Sequence, residues 1–366
     1  KIEELAGLEN LAAGTLGERD KRLDHGALVP LFFIDQYLED YKMVRISVSG
    51  LTPLEHYRFG KCLQAAVKKL GRRTVVVASG DLSHRLKEEG PYSYAEEGPA
   101  FDKQVTKAMA AGDFLAFMQF EEGFCEAAGE CGLRTFLIMA GALDGMSADS
   151  DLLSYEGPFG VGYAVAAFHP TGSEDLRRMD VLYEEEAKAE RDQIRSQEDV
   201  FVSLARLSLE SYVRGRKYID RPPGLPKELT KQKAGVFVSL KKEGRLRGCI
   251  GTISPVEESI ADEIIRNAVS AGTGDPRFNP VTEEELDELI YSVDVLGEPE
   301  PIESMEELDA ARYGIIVTKG RKRGLLLPNL EGVTTPQQQV EIALKKAGIS
   351  SREDYRMERF EVVRHK

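Results

Sequence analysis

The sequence predicts two domains, an α/β domain with a mainly parallel central sheet followed by a smaller α+β domain. Three observations carry that expectation. Residues 43–49 alternate like a strand, residues 52–70 carry a helical apolar pattern and residues 74–79 read as a strand that opens on the β-branched run 74–77; a strand–helix–strand unit of this length makes its two strands parallel. A charged segment, residues 172–195 with EEEAKAERDQ at its centre, reads as a solvated helix or linker between the halves. Beyond it, strand patterns mix with a few helices without βαβ alternation. The expected divisions are residues 1–171, a linker at 172–195 and residues 196–366, in a chain of 366 residues that can supply two cores.

Residues 1–22 are helix-prone, and residues 23–31, LDHGALVPL, follow as a loop carrying His25. Thr52-Pro53-Leu54-Glu55 is a capping box with proline at the first helical position, and Leu54, Phe59, Leu63, Ala66 and Leu70 recur near helical spacing behind it. The run 74–77 enters a turn at Gly80 and ends in Asp81, Ser83 and His84. In an open α/β sheet, ligands bind past the carboxyl ends of the strands. A histidine there is a candidate acid/base because it titrates near neutrality, although the stretch also reads as a plain surface loop. Helices are expected over 101–111, 114–120 and 134–143, the last behind the turn Gly129-Glu130-Cys131-Gly132, and a strand over 159–168.

In the second half, Ser196-Gln197-Glu198-Asp199 reads as a capping box for a helix that places Phe201, Leu204, Leu207 and Tyr212 near one face and stops at Gly215. Strands follow at 236–240 and 245–251. Ser254-Pro255-Val256-Glu257 caps a helix carrying Ile260, Ile264 and Ala268, residues 275–280 form a loop, and 289–296 alternates as a strand. A hairpin is expected at 315–318 and 324–327. Thr335-Pro336-Gln337-Gln338 caps a helix that Gly348 ends, and 360–363 closes the domain as a strand.

Hydrophobic residues make up 42% of the chain and charged residues 30%, ordinary for a globular protein. The net charge of −14 argues against nucleic acid and against an anionic membrane surface as partners. No apolar run is long enough to span a bilayer, and no signal peptide is read. Cys62, Cys125, Cys131 and Cys249 form no paired framework, so a reducing cytoplasm is the expected location. The chain begins at Lys1 and its first strand-like stretch comes late, so the natural N-terminus is expected to be missing.

His25, His84 and Glu130 each sit in a loop beside glycine. Two histidines and a carboxylate are the ligand set of a non-haem Fe(II) centre, but spacing alone does not separate ligands from acid/base groups. His56 reads as a packing or surface residue, and His169 and His365 are assigned no chemistry.

Six pieces in order, LDHGALVPLFFI, SVSGLTPLEHYRFGKCL, VVVASGDLSHRL, YAEEGPAFDKQV, GECGLRTFLIMAGAL and GPFGVGYAVAAF, resemble the later part of a LigB-like class III extradiol dioxygenase, a family that includes Memo-like proteins. The resemblance implies Fe(II) held by two N-terminal histidines and a later glutamate. Glu130 falls at the glutamate ligand, His84 at the acid/base histidine, and His25 at a second active-site histidine near bound substrate or oxygen. Iron that binds both diol oxygens and dioxygen holds the reactants together, and a neutral histidine takes and returns a proton. The two N-terminal histidine ligands have no match here: the chain has no histidine before His25. A truncated start accounts for this more economically than a lost metal site. Memo-like proteins carry a cysteine at about this point, so Cys131 either shares or replaces the role of Glu130 or is a small packing residue. Asp81 and Ser83 are expected to bond the loop, and read either as orienting His84 or as purely structural turn residues.

Residues 196–366 resemble an AMMECR-type domain through LRGCIG, DPRFNPV and LLLPNLEGV, a family without an established activity. Arg247 offers a planar fork for an anion, and Gly248 and Gly251 let backbone approach a ligand. Cys249 reads either as a nucleophile or as a structural thiol, since His365 is the domain's only candidate base. Arg277 reads as facing the same cleft, or as sharing a salt-bridge network with Arg247. Fusion of the two modules implies a cytoplasmic bacterial or archaeal protein associated with a radical-SAM partner. The leading expectation is an Fe(II)-dependent extradiol-type dioxygenase acting on an aromatic diol, as a homo-oligomer. The alternative is a non-catalytic metal- or redox-linked interaction module for the radical-SAM partner. A third reading is a hydrolase or transferase centred on Cys249.

Overall fold

Thr52 opens the helix on which the first half is built. Its hydroxyl accepts the Glu55 N–H at 3.2 Å, and the Glu55 carboxylate accepts the Thr52 N–H at 2.7 Å, with Pro53 at the first position. The computed structural model describes residues 1–14, 22–330 and 332–366, which divide into two units, Lys1–Ala187 and Lys188–Lys366. Residues 15–21 of the helix-prone opening and Glu331 of LLLPNLEGV lie outside the described residues.

In the first unit α1 (Ile2–Leu8) and α2 (His25–Ile34) precede α3 (Pro53–Leu70). His25 begins a helix instead of lying in a loop, because the Asp24 carboxylate accepts the Ala27 N–H at 3.0 Å and caps it. Then come α4 (Glu97–Ala111), α5 (Phe114–Met118), α6 (Glu122–Ala128) and α7 (Leu133–Ala142), followed by β1 (Met146–Glu156) and β2 (Tyr163–Ser173). The core gathers Tyr57, Leu82, Phe101, Phe114, Phe117 and Leu137. Gly60 and Gly141 let α3 and α7 touch backbone to backbone. A β-carbon on Gly141 would stand 1.9 Å from the Tyr57 carbonyl, and one on Gly60 2.1 Å from the Ile138 carbonyl.

A mainly parallel sheet is not formed among the described residues. Residues 43–49 and 74–79 are not assigned as strands, and Val44, Val48, Val75 and Val77 are exposed. Alternation and β-branching mark extended backbone, but a strand exists only through its ladder neighbour. The ladder of this unit is the antiparallel β1–β2 pair. Of its members only the second was legible, and it begins later than the apolar run suggested.

Helix α8 (Met179–Ser196) carries the charged segment. The second unit contains α9 (Val200–Gly215), α10 (Lys227–Lys231), β3 (Val236–Lys242), β4 (Arg245–Gly251), α11 (Ile260–Thr273), β5 (Leu289–Leu296), β6 (Glu300–Ile302), β7 (Gly314–Lys319), β8 (Lys322–Leu326), α12 (Pro336–Ala347), β9 (Arg356–Phe360) and β10 (Val362–His365). Two four-stranded antiparallel sheets result, ordered β10-β5-β3-β4 and β6-β9-β7-β8. On the first, Val236, Val238, Leu240, Tyr291 and Val293 pack with Leu204, Leu209, Ile264 and Ala268 of α9 and α11. The second packs Ile315, Val317 and Leu326 against Ala343 and Leu344 of α12. No helix among the described residues is long and apolar enough to cross a membrane.

Two caps differ from expectation. Asp199, not Ser196, caps α9, its carboxylate accepting the Phe201 and Val202 N–H groups at 2.9 and 3.1 Å; α8 continues through Ser196, and Glu198 is taken by the buried Arg206. Ser259, not Ser254, caps α11, because the buried Glu263 carboxylate accepts the Val256 and Glu257 N–H groups and holds that stretch as a loop.

Two predictions follow from this packing. Helix propensity alone favours Gly141→Ala by about 1 kcal/mol. The Tyr57 carbonyl leaves no room for the methyl, so the variant should instead lose about 1–3 kcal/mol in chemical denaturation, and a neutral or stabilised variant would refute the contact. His56, 2% exposed, accepts the Ser49 N–H at Nε2 (3.4 Å), so Nδ1 carries the proton and donates to the Thr52 carbonyl at 3.0 Å. Burial pushes its pKa below the ordinary 6.5. The unfolded chain then takes up a proton first, and the stability that neutral His56 supports is present above 6.5 and lost as the pH falls below it. Denaturation at about pH 7 and pH 5 should show a loss of stability that His56→Gln reduces; an equal slope in the variant would contradict this.

Candidate metal centre

Loop 81–84 is fixed from several sides before its side chains can act. Asp102, 1% exposed on α4, accepts the Ser83 N–H at 2.8 Å with one oxygen and the Tyr155 hydroxyl at 2.8 Å with the other. Burial raises the Asp102 pKa, and these two donors oppose it. Leu82 N–H donates to the Gly162 carbonyl at 2.9 Å, and Gly162 N–H donates back to Ser83 at 2.8 Å. Only glycine fits at 162, where a β-carbon would lie 1.9 Å from the Asp102 carboxylate. The Ser83 hydroxyl donates to the Ala128 carbonyl at 2.7 Å and accepts the Arg85 N–H at 2.9 Å.

The turn ahead of α7 meets this loop at its backbone, since a β-carbon on Gly80 would stand 2.4 Å from Gly132 Cα. The contact brings three donors together. His84 Nε2 lies 3.5 Å from Asp81 Oδ2 and 3.7 Å from Cys131 Sγ, and the Cys131 sulfur accepts the Asp81 N–H at 3.3 Å. One ligand atom from each of Asp81, His84 and Cys131 lies within 4.8 Å of the others. Tyr92 stacks on His84 with ring centroids 5.2 Å apart.

Glu130 stands beside this group but outside it. Its carboxylate accepts the Leu133 N–H at 2.7 Å at the start of α7. Burial pushes its pKa up, against the pull of that N–H, of Arg134 and of His84. His25 is exposed at the start of α2, and no hydrogen bond or ion pair among the described residues joins it to the three donors. Its neighbour Gly26 approaches the Ser79 hydroxyl.

One oxygen, one nitrogen and one sulfur donor suit a transition metal better than magnesium or calcium. The local field agrees. Burial pushes the Cys131 thiol up, the Asp81 N–H pulls it down, and the charges of Asp81 and Glu130 push it further up. A cation seated among these groups relieves that repulsion and favours the thiolate.

In the second unit both arginine forks are already occupied. Arg247 is bidentate to Glu285 at 2.8 and 2.9 Å, and Arg277 to Asp275 at 2.9 and 2.6 Å. Gly248 and Gly251 serve packing: β-carbons there would lie 2.2 Å from the Ala271 carbonyl and 2.3 Å from the Phe237 ring. Cys249 donates its backbone N–H to Asp275 at 2.9 Å, and its sulfur accepts the Ser239 hydroxyl at 3.2 Å. Burial raises its thiol pKa. His365 is paired with Asp199 and stacked on Phe201.

Sequence reasoning passed over Asp102, Tyr92 and Ser239. For Asp102 a signal existed: an acid on the helix face that carries Phe101, Val105, Ala108 and Met109 is out of place unless hydrogen-bonded.

Residues 1–166 match the family model described as the catalytic LigB subunit of aromatic ring-opening dioxygenase, and residues 202–365 match the AMMECR1 model. A Clostridium acetobutylicum protein is 48% identical over 345 residues, covering 94% of this chain and 73% of that protein. A Thermotoga maritima protein is 48% identical over 171 residues, 46% of this chain and 98% of its own length. The crystal structure of an uncharacterized Pyrococcus horikoshii protein, PH0010, is similar at 34% identity and a TM-score of 0.43, over 45% of this chain and 88% of that one. The chain belongs to the family of proteins that carry a LigB domain followed by an AMMECR1 domain.

Proposed function

We propose that the first unit is a metal-dependent oxidoreductase domain of the ring-opening dioxygenase type, in which Asp81, His84 and Cys131 hold Fe(II) and the substrate is an aromatic diol. The observation that carries this reading is the convergence of those three donor atoms within 4.8 Å. Iron supplies Lewis acidity and a common seat for diol and dioxygen when it is bound. The chain contributes the rest. Asp102 and Gly162 fix the loop that aims His84, and Tyr92 covers one face of the imidazole. The Glu130 carboxyl, whose pKa burial pushes up, stands beside the site as a group that can hold a proton.

One observation favours a second reading. Cys131, not Glu130, stands beside His84. A soft thiolate donor suits a metal- or redox-linked module, serving a radical-SAM partner in the cytoplasm, better than iron that activates dioxygen.

Anaerobic metal analysis of the full chain, Cys131→Ser, His84→Ala and Glu130→Gln tests the centre. The wild type should retain about one ion per chain. Cys131→Ser and His84→Ala should weaken binding by about tenfold or more, while Glu130→Gln keeps the ion. Oxygen uptake by the Fe(II)-loaded chain with catechol supports the dioxygenase. A retained ion without uptake moves the balance to the module, and a wild type that binds no ion overturns both.

A further inference from the structure

His84 is pinned at its backbone, where its N–H donates to the Gly129 carbonyl at 3.3 Å, and its Nε2 faces Asp81 and Cys131. A histidine that holds a metal through one ring nitrogen is ordinarily oriented by a hydrogen bond from the other. No hydrogen bond at Nδ1 is formed among the described residues. What meets the ring instead is Tyr92. The two rings are stacked, with centroids 5.2 Å apart and planes within 18° of parallel. Tyr92 is 55% exposed and stands outside the unit's core, so packing of the core does not account for its place.

The loop that carries Tyr92 is tied down on both sides of it. Ahead of it, Leu86 N–H donates to the Gly160 carbonyl at 3.0 Å, the Lys87 ammonium to the Pro158 carbonyl at 3.0 Å, and Gly90 N–H to the Lys87 carbonyl at 3.2 Å, which closes a turn. Gly90 and Gly160 meet at their backbones, since a β-carbon on Gly160 would stand 2.9 Å from Gly90 Cα. Behind Tyr92, the Arg85 guanidinium takes Ser93 twice: Nε donates to its carbonyl and Nη2 to its hydroxyl, each at 3.0 Å. The remaining Arg85 nitrogen, Nη1, donates to the Ala127 carbonyl of α6 at 3.1 Å, and Ala95 N–H returns to the Arg85 carbonyl at 3.2 Å. Arg85 follows His84 in the chain, and Ser93 follows Tyr92. The neighbour of the imidazole therefore grips the neighbour of the ring that covers it, through a planar fork that a lysine cannot reproduce.

We propose that Tyr92 is a positioning residue of the metal centre: held by the Arg85 strap, its ring fixes the plane of the His84 imidazole and so aims Nε2 at the ion. This role rests on the reading of Asp81, His84 and Cys131 as ligands. The aromatic face carries it, since the Tyr92 hydroxyl forms no hydrogen bond among the described residues. Without the ring all three donors remain, but the imidazole turns more freely, and binding must order a group that the intact site holds ready.

Anaerobic titration of the full chain with Co(II) tests this, because the thiolate-to-cobalt charge-transfer band reports Cys131 and the d–d bands report the geometry around the ion. Tyr92→Leu should weaken Co(II) binding by about tenfold and change the d–d bands, while chemical denaturation of the metal-free chain stays as in the wild type. Tyr92→Phe should restore both affinity and spectrum. Arg85→Lys, which keeps the charge and loses the fork, should weaken binding in the same direction. Wild-type affinity and spectrum in Tyr92→Leu would overturn the proposal and leave the metal centre standing. So would a Tyr92→Phe that behaves like Tyr92→Leu, or a Tyr92→Leu chain whose metal-free stability falls as far as its binding. A wild type that binds no Co(II) would remove the centre and this role with it.

Discussion

The buried carboxylate of Asp102 is the constraint on which the first unit's site depends. Burying a carboxylate is costly unless its oxygens are bonded, and Asp102 meets that condition with the Ser83 N–H and the Tyr155 hydroxyl. One side chain thereby joins α4, the loop that carries His84 and the β1–β2 hairpin. Loop 81–84 has no ladder of its own to lean on, so its backbone groups are satisfied by Gly162, Asp102 and Gly129. Gly162, Gly80 and Gly132 admit the close approaches this requires.

The exposed Cys131 and the half-buried Cys249 show how environment, not residue type, assigns chemistry. Cys131 lies between carboxylates that push its proton affinity up, a field that suits a cation. Cys249 feels the charge of Arg277 on one side and those of Asp275 and Asp294 on the other, and each of those carboxylates is bidentate to its own arginine. Burial raises both thiols, so neither acts as an activated nucleophile on its own. Cys62 and Cys125, both buried, are pushed up in the same direction and belong to the packing.

Local chemistry was well written in the sequence, and long-range chemistry was not. The capping boxes at Thr52 and Thr335 and the left-handed glycine at 348 are short-range signals and appear as read. Ser196 and Ser254 carried the same signal, but Glu198 and Glu263 were claimed by partners elsewhere in the unit, Arg206 and the loop at 256–257. The runs at 43–49 and 74–79 show what periodicity leaves out, because alternation describes one strand and says nothing of its neighbour. At the site, His84 and Asp81 share a loop and were found together. Cys131 joins them only through the contact of two glycine turns some fifty residues apart in the chain, Gly80 and Gly132, which no spacing rule reveals.

The most direct test of this account is X-ray absorption at the edge of the metal bound to the full chain. Asp81, His84 and Cys131 as ligands predict one sulfur scatterer in the first shell together with nitrogen and oxygen, and its loss in Cys131→Ser. A first shell of nitrogen and oxygen alone, unchanged by that substitution, would contradict the central claim and return the carboxylate of Glu130 to the metal.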